Sequence, residues 1–324
     1  MTKAIIIEKQ GGPEVLTFST SKIGMPGKGE VLIRHTAIGV NYIDIYQRNG
    51  EYKVDLPFIP GIEACGYVEE IGPEVSGISP GDRVAYGTAK MGGGYAERRI
   101  INQIYVVKVP DEIKDEDVAA ILTKGMTAHY LLRRAFYIKE DNVILVHAAA
   151  GGVGQILTRW AKFLKAKVIA TVGSDAKAEI AKKNGADYVI NYTTENFASK
   201  VMEYTNGKGV NVVYDSVGQA TVAGSIASLG YFGLFVSYGN ASGKIENFDV
   251  SSLAEKSLFM TRPSLFNYKN NRMELILTAN DVFDMYKLKV IVPQIHKKFS
   301  LKDASLAHAE LESRSTTGSL ILIP

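Results

Sequence analysis

Asn142-Val-Ile-Leu-Val-His-Ala-Ala-Ala-Gly-Gly-Val-Gly154 is the stretch whose reading decides the fold. Residues 142–147 read as a strand carrying a run of buried aliphatic and β-branched side chains. Three alanines and a glycine pair follow, and Gln155-Ile-Leu-Thr-Arg-Trp-Ala-Lys-Phe-Leu164 then continues with helical spacing. A strand feeding a small-residue turn into a helix offers unpaired backbone N–H groups and the positive helix end to a pyrophosphate. The usual Gly-x-Gly-x-x-Gly dinucleotide fingerprint reads here Ala149-Ala150-Gly151-Gly152-Val153-Gly154. Gly151 lets the backbone approach the phosphates and Gly154 lets the helix pack closely on the sheet. Ala149 stands where the turn glycine is expected.

The next strand, residues 167–172, bears on which nicotinamide cofactor is used. An NAD site carries Asp or Glu about 20 residues after the glycine turn, at the tip of the second strand, bonded to the ribose 2′-hydroxyl. Here the strand ends in Gly173-Ser174, with no acid at the tip. Asp175 reads instead as a first-turn acid of a helix over 176–184. Gly173 has no side chain to obstruct a 2′-phosphate, Ser174 can donate to it, and Lys177 can neutralise it. Lys177 is also where a plain solvated lysine would stand, so the cluster, not the lysine alone, favours NADPH.

Outward from this segment the chain has two textures. Residues 1–122 are rich in Gly and Pro, with short alternating runs at 4–8, 30–38, 64–71, 83–86 and 95–101 between turns such as Pro26-Gly27, Gly72-Pro73 and Pro80-Gly81, a β-rich pattern. From about 124 to 240 strands (142–147, 167–172, 188–190, 210–214, 233–238) alternate with helical patterns, which predicts a doubly wound parallel sheet. The tail has helical stretches near 271–287 and 301–313 and a last strand, 319–323. Its style matches the first region, so it is expected to fold back there.

Composition narrows the class. The 324 residues are enough for two domains, and a net charge of +3 without a long basic run gives little reason to expect nucleic acid or membrane binding. Cys65 is the single cysteine, so neither an intrachain disulfide nor a cysteine-rich metal site is possible. The apolar run at the N-terminus is too short for a signal peptide and no 18-residue apolar window occurs, which reads as a cytoplasmic enzyme.

An ordered set of motifs carries a family resemblance. It comprises Gly39-Val-Asn-Tyr-Ile-Asp44, Pro60-Gly-Ile-Glu-Ala-Cys-Gly66, Gly81-Asp-Arg-Val84, Gly93-Gly-Tyr-Ala-Glu97 and the glycine turn. It continues with Ala186-Asp-Tyr-Val-Ile-Asn-Tyr192, Val212-Val-Tyr-Asp-Ser-Val-Gly218, Thr261-Arg-Pro-Ser264 and Leu311-Glu-Ser-Arg-Ser-Thr-Thr-Gly318. From end to end the chain resembles the zinc-independent, zeta-crystallin-like NADPH:quinone oxidoreductases of the medium-chain dehydrogenase/reductase type. The resemblance implies a GroES-like catalytic domain at 1–122, completed by 268–324, and a Rossmann NADPH-binding domain at 123–267.

It also implies a chemistry without metal. In zinc-using members a cysteine stands near Asn41 and a Gly-His-Glu triplet supplies a ligand; here the triplet is Gly61-Ile62-Glu63, and Ile62 cannot bind zinc. His35, His129, His147, His296 and His308 lack paired ligand spacing and read as structural or surface histidines. Glu63 reads as a buried structural carboxylate and Cys65 as an inert buried thiol. A quinone is an easy acceptor, because the charge it gains delocalises into an aromatic hydroquinone; positioning and a few donors then suffice.

The resemblance brings Asn41 and Tyr46 to the nicotinamide, and Tyr46 and Tyr52 to the quinone, where a phenol can donate to a developing oxyanion. Read from the residues alone, Tyr46 is equally a packing residue of a short helix over 43–48, Tyr52 an exposed loop aromatic and Asn41 the N-cap of that helix. For the cofactor, the family pattern adds Thr127 at the start of a helix over 127–134, Tyr192 near the 2′-phosphate, the segment Val236-Ser237-Tyr238-Gly239 beside the nicotinamide, and Arg314 reaching back from the tail. Tyr192 could instead cap a strand, and Arg314 could be a surface arginine.

The apolar strands at 233–238 and 257–261 predict a homodimer formed by pairing sheet edges, as in the family. Two further functions stay open: NADPH-dependent reduction of an activated C=C bond in an enal, enone or enoyl thioester, and a non-catalytic, NADPH-loaded RNA-binding or crystallin-like role. The absence of aromatic–basic interleaving argues against the last.

Overall fold

The computed structural model describes residues 1–88 and 92–324. The chain divides into two compact units. The first comprises Met1–Lys124, Lys269–Asp284 and Pro293–Pro324; the second comprises Gly125–Tyr268 and Met285–Val292.

In the first unit β1 (Thr2–Ile6) and β2 (Thr17–Ser21) form an antiparallel pair. There follow β3 (Glu30–Val40), α1 (Tyr42–Arg48), β4 (Glu63–Ile71), β5 (Arg83–Tyr86), β6 (Arg98–Asn102), β7 (Val107–Lys108) and α2 (Asp115–Tyr130), whose last residues pass into the second unit. The second unit continues with β8 (Val143–Val146), α3 (Gly152–Phe163), β9 (Lys167–Val172), α4 (Asp175–Lys183), β10 (Tyr188–Asn191) and α5 (Phe197–Tyr204). Then come β11 (Val210–Asp215), α6 (Val222–Ser228), β12 (Leu229–Ser237), β13 (Phe259–Thr261) and α7 (Leu265–Tyr268). The tail supplies α8 (Arg272–Lys287), β14 (Ile295–Ser300), α9 (Ala304–Glu312) and β15 (Ser319–Ile323).

β3 is the spine of the first unit. Its run Val31-Leu32-Ile33 and its end from Ala37 to Val40 are buried. It pairs antiparallel with β4 on one side, and on the other with β6 along residues 30–34 and β15 along 38–40. The sheet runs β14-β15-β3-β4-β5-β7. Ile33, Ile38, Val68, Tyr86, Leu320 and Leu322 fill one apolar core with Ile5 and Ile7. The tail strand therefore belongs to the same sheet as the chain's first hundred residues.

The second unit is a six-stranded parallel sheet in the order β10-β9-β8-β11-β12-β13. The chain winds outward from β8 to β10, returns to β11 beside β8, and winds outward the other way. The strand order thus reverses between β8 and β11, whose carboxyl ends are where a doubly wound sheet opens a crevice. The α/β doubly wound fold expected from the alternating pattern is the one present.

Several strand ends shift by a few residues, and the helix expected over 127–134 is displaced outright. Thr127 is not at the start of a helix; it lies in the last turn of α2, which begins at Asp115. Three acids, Asp115, Glu116 and Asp117, fill its first turn and favour the positive helix end. Gly125 lies inside this buried helix, where packing outweighs its low helix propensity.

A buried polar chain crosses the first unit. Arg48 pairs with Glu312 and donates to His308 Nδ1 (3.1 Å); His308 Nε2 meets Tyr95 Oη (2.9 Å), and Tyr95 donates to Asp44 Oδ2 (3.1 Å). Because Arg48 can only donate, His308 is neutral with its proton on Nε2. Burial, reinforced by Arg48, lowers its pKa from 6.5 to about 3. The unfolded chain therefore binds a proton here between about pH 3 and 6.5 that the folded chain does not, so stability is lost as the pH falls below 6.5. From pH 8 to pH 5 this one group should remove about 2 kcal/mol. Urea unfolding of His308→Gln at the two pH values should show the pH dependence reduced by that amount; an unchanged dependence would contradict the assignment.

Candidate functional site

The glycine turn leaves the carboxyl end of β8. Ala148 takes a left-handed conformation (φ +50°), reversing the chain, and Gly151 N donates to Ala148 O (2.9 Å). Gly151 is the N-cap of α3 and carries no side chain to cap it. A Cβ at Gly154 would stand 2.3 Å from Ala148 O, so only glycine lets the helix begin this close to the turn. The first N–H groups of α3, at Gly152, Val153 and Gly154, have no intrahelical acceptor, and no acid occupies the first turn. The positive helix end is thus left for an external anion.

Beneath this turn lies a polar network that sequence reasoning did not find. Asp215, at the end of β11, accepts from Val217 N (2.7 Å), Gly218 N (3.0 Å), Thr221 Oγ1 (2.7 Å) and Ser225 Oγ (3.0 Å). Ser225 Oγ in turn meets His147 Nε2 (2.9 Å), and His147 Nδ1 meets Thr171 Oγ1 (2.7 Å) on β9. Since Ser225 spends its proton on Asp215, His147 donates from Nε2 and accepts at Nδ1. Burial lowers the His147 pKa, against the pull of Asp215. Asp215 also accepts through its carbonyl from Tyr238 N (2.7 Å), which fixes where the Val236–Gly239 segment leaves β12. The side chains of Val236 and Ser237 are buried and that of Tyr238 is half-buried, so the first two present chiefly backbone.

Four of the candidate residues lie around the tip of β9 and the start of α4. A Cβ at Gly173 would stand 2.8 Å from the Tyr192 hydroxyl, so the phenol lies directly over the bare backbone there. Ser174 is the N-cap of α4, and its Oγ accepts from Lys177 N (3.4 Å). Lys177 is half-buried, and that burial lowers its ammonium pKa. Asp175 is tied to Asn191 Nδ2 (2.8 Å), on β10. Gly173 and Tyr192 thus meet at this corner, with Ser174 and Lys177 at the start of α4.

In the first unit Asn41 is the N-cap of α1, and the Asp44 carboxylate accepts from its backbone N–H (2.8 Å). Its side chain is held by charge. Nδ2 donates to Glu63 Oε2 (2.9 Å), while Lys124 Nζ donates to Oδ1 (3.2 Å). Glu63 Oε1 also accepts from Thr123 N (2.6 Å), and Oε2 lies 3.8 Å from the Lys124 ammonium. A Cβ at Gly39 would stand 2.3 Å from Glu63 Oε2, so that glycine admits the carboxylate. Burial raises the Glu63 pKa, with Lys124, Asn41 and Thr123 opposing it. Asp44 is raised to about 7 by burial, and its Oδ1 has no hydrogen-bond partner.

The donor set here does not fit zinc. An amide, one carboxylate, the aliphatic Ile62 and a resident ammonium offer neither the N and S ligands nor the negative charge that a zinc(II) ion takes. Lys124 was not singled out from sequence; its only signal there was a lysine beside a glycine in an otherwise apolar run.

Tyr46, on α1, is buried, and its ring centroid lies 5.3 Å from that of Tyr52, which is 37% exposed. Tyr52 N donates to Tyr46 O (2.8 Å), so the loop after α1 folds back against the helix. Arg314 follows α9 on an exposed left-handed turn (φ +57°), and its charge acts on the Tyr42 phenol. Cys65 is buried, which raises its thiol well above the ordinary range.

Comparison with known proteins agrees with this geometry. Residues 27–111 match the alcohol dehydrogenase GroES-like domain and residues 152–278 the zinc-binding dehydrogenase family. A quinone oxidoreductase of Pseudomonas aeruginosa is 42% identical over 326 residues, covering 100% of both chains. A 2-haloacrylate reductase of a Burkholderia species is 41% identical, covering 100% of this chain and 99% of that one. The crystal structure of Escherichia coli quinone oxidoreductase complexed with NADPH superposes with a TM-score of 0.97 at 43% identity, over 99% of this chain and 100% of that one. The chain belongs to the quinone oxidoreductase family of medium-chain dehydrogenases/reductases.

Proposed function

We propose that the chain is an NADPH:quinone oxidoreductase. The observation that carries this reading is the tip of β9, where bare Gly173, Ser174, Lys177 and Tyr192 gather and no acid stands to bind a ribose 2′-hydroxyl. The E. coli relative's complex with NADPH and the quinone oxidoreductases near 42% identity support it. When bound, the cofactor supplies the hydride.

The chain's own residues do the rest. Gly151, Gly152, Val153 and Gly154 bind the pyrophosphate at the α3 N-terminus. Ser174, Lys177 and Tyr192 hold the 2′-phosphate above Gly173. Thr127, the backbone from Val236 to Gly239, and Arg314 complete the cofactor contacts, and Asn41 and Tyr46 orient the nicotinamide. Tyr46 and Tyr52 donate hydrogen bonds to the acceptor oxygen as charge develops there. The 2-haloacrylate reductase relative favours a second reading, reduction of an activated C=C bond, with a tyrosine as proton donor.

The protein works as a homodimer in the cytoplasm. Among the described residues no helix is long and apolar enough to cross a membrane. β13 ends its sheet, and Phe259 on it is 60% exposed, with Tyr231 and Phe232 of β12 75% and 70% exposed. Pairing two such edges would cover them. Light scattering at micromolar concentration should give twice the 35.3 kDa chain mass; a monomer would sink the dimer.

NADPH oxidation should proceed with 1,4-benzoquinone or 9,10-phenanthrenequinone and fall away with NADH. Turnover only with crotonyl-CoA or 2-chloroacrylate would move the assignment to C=C reduction. Tight NADPH binding without any turnover would leave a binding role. Lys177→Ala should raise the KM for NADPH roughly tenfold, about 1.4 kcal/mol of lost phosphate contact, and barely change that for NADH. Equal effects on both cofactors would refute the 2′-phosphate assignment.

A further inference from the structure

We propose that Lys124 is a positioning residue for the hydride-transfer step: its buried ammonium fixes which way the Asn41 amide points. The proposal rests on the reading of Asn41 as a nicotinamide contact. An asparagine amide is nearly symmetric in shape, and only its neighbours decide where its oxygen and nitrogen lie. At Asn41 both ends are decided by charge. The ammonium of Lys124 can only donate and takes Oδ1 (3.2 Å); ionised Glu63 can only accept and takes Nδ2 (2.9 Å). Inverting the amide would set two donors together at Lys124 and two acceptors together at Glu63.

Two carboxyls and one ammonium crowd this position. Asp44 accepts from the Asn41 backbone, Glu63 from its side chain, and Lys124 is the cation beside Glu63. Tyr95 donates to Asp44, and the amide of Thr123 donates to Glu63, so neutral groups supply the remaining support. The Lys124 side chain is 8% exposed and that of Glu63 fully buried, so solvent cannot stand in for the ammonium if it is removed. Without it Glu63 takes up a proton, becomes both donor and acceptor, and no longer specifies one amide orientation. The backbone cap of α1 by Asp44 would persist, so the helix remains while the amide loses its register.

The test compares Lys124→Met with the double variant Lys124→Met/Glu63→Gln, which removes both charges of the pair. Three quantities are read: thermal stability, NADPH affinity by fluorescence, and the side-chain amide resonances of Asn41, assigned by loss in Asn41→Ser. In Lys124→Met the Asn41 resonances should shift, and kcat with a quinone should fall at least tenfold while NADPH affinity stays within threefold. The double variant should recover stability without recovering either kcat or the resonances, which a merely structural role would restore. Should Lys124→Met fail to fold, the double variant alone decides. Wild-type kcat in the double variant, or unshifted Asn41 resonances in either, overturns the proposal. If the wild-type protein turns over no acceptor at all, the proposed function fails, but the resonances still decide the role of Lys124.

Discussion

The carboxylate of Asp215 is the point on which the cofactor half of the molecule depends. A buried charge is tolerated only where its lone pairs are filled, and here four donors fill them. Through Ser225 and His147 the same carboxylate reaches Thr171, so the ends of β8, β9 and β11 and the body of α6 are set relative to one another. Three of the segments proposed to touch the cofactor start from this network or are tied to it. The glycine turn follows His147, the tip at Gly173 follows β9, and the Val236–Gly239 segment is tied to the Asp215 carbonyl. Removing one partner from such a network exposes the full desolvation cost of the others, about 1–3 kcal/mol for each unsatisfied group.

The first unit solves a related problem with different chemistry. Where the second unit holds its carboxylate with hydroxyls and amides, the first places an ammonium beside one carboxyl and lets the other carry a proton near neutral pH. Burial, with the nearby charge of Glu63, lifts Asp44 to about 7, because its hydrogen-bond donors and Lys124 only partly offset the loss of water. The result is an amide held between an ammonium and a carboxylate, in place of an ion that would polarise a carbonyl. An acceptor that delocalises its own charge has little need of more.

Much of this was legible in the sequence because it is encoded locally. β9 and β15 run over the expected residues, since alternation and runs of branched side chains are short-range signals. The helix after Asn41 was visible because asparagine is a common N-cap; the reciprocal bond with Asp44 emerged only in the structure. Tyr192 was expected near the 2′-phosphate from family resemblance alone, and nothing local in the sequence says that its hydroxyl lies over Gly173. What was not legible joins residues far apart in the chain: His147 to Ser225, Arg48 to His308, Lys124 to Asn41. Polar pairing leaves no periodicity, and a lone histidine or lysine in an apolar run looks the same whether satisfied or spare. The start of α2 was hidden for another reason, that tertiary burial carries Gly125 through a helix its propensity opposes.

Gly39, Glu63 and Lys124 also bear on how such a centre changes over generations. Installing histidine at Ile62 would add one metal donor, yet the ammonium would remain as a resident cation repelling the incoming one. Removing the lysine first strands the Glu63 carboxylate without its counter-charge. Enlarging Gly39 is blocked while that carboxylate keeps its place, 2.3 Å from where a new methyl would sit. No single replacement among these three residues therefore makes a metal site: each leaves a charge unpaired or a contact too close.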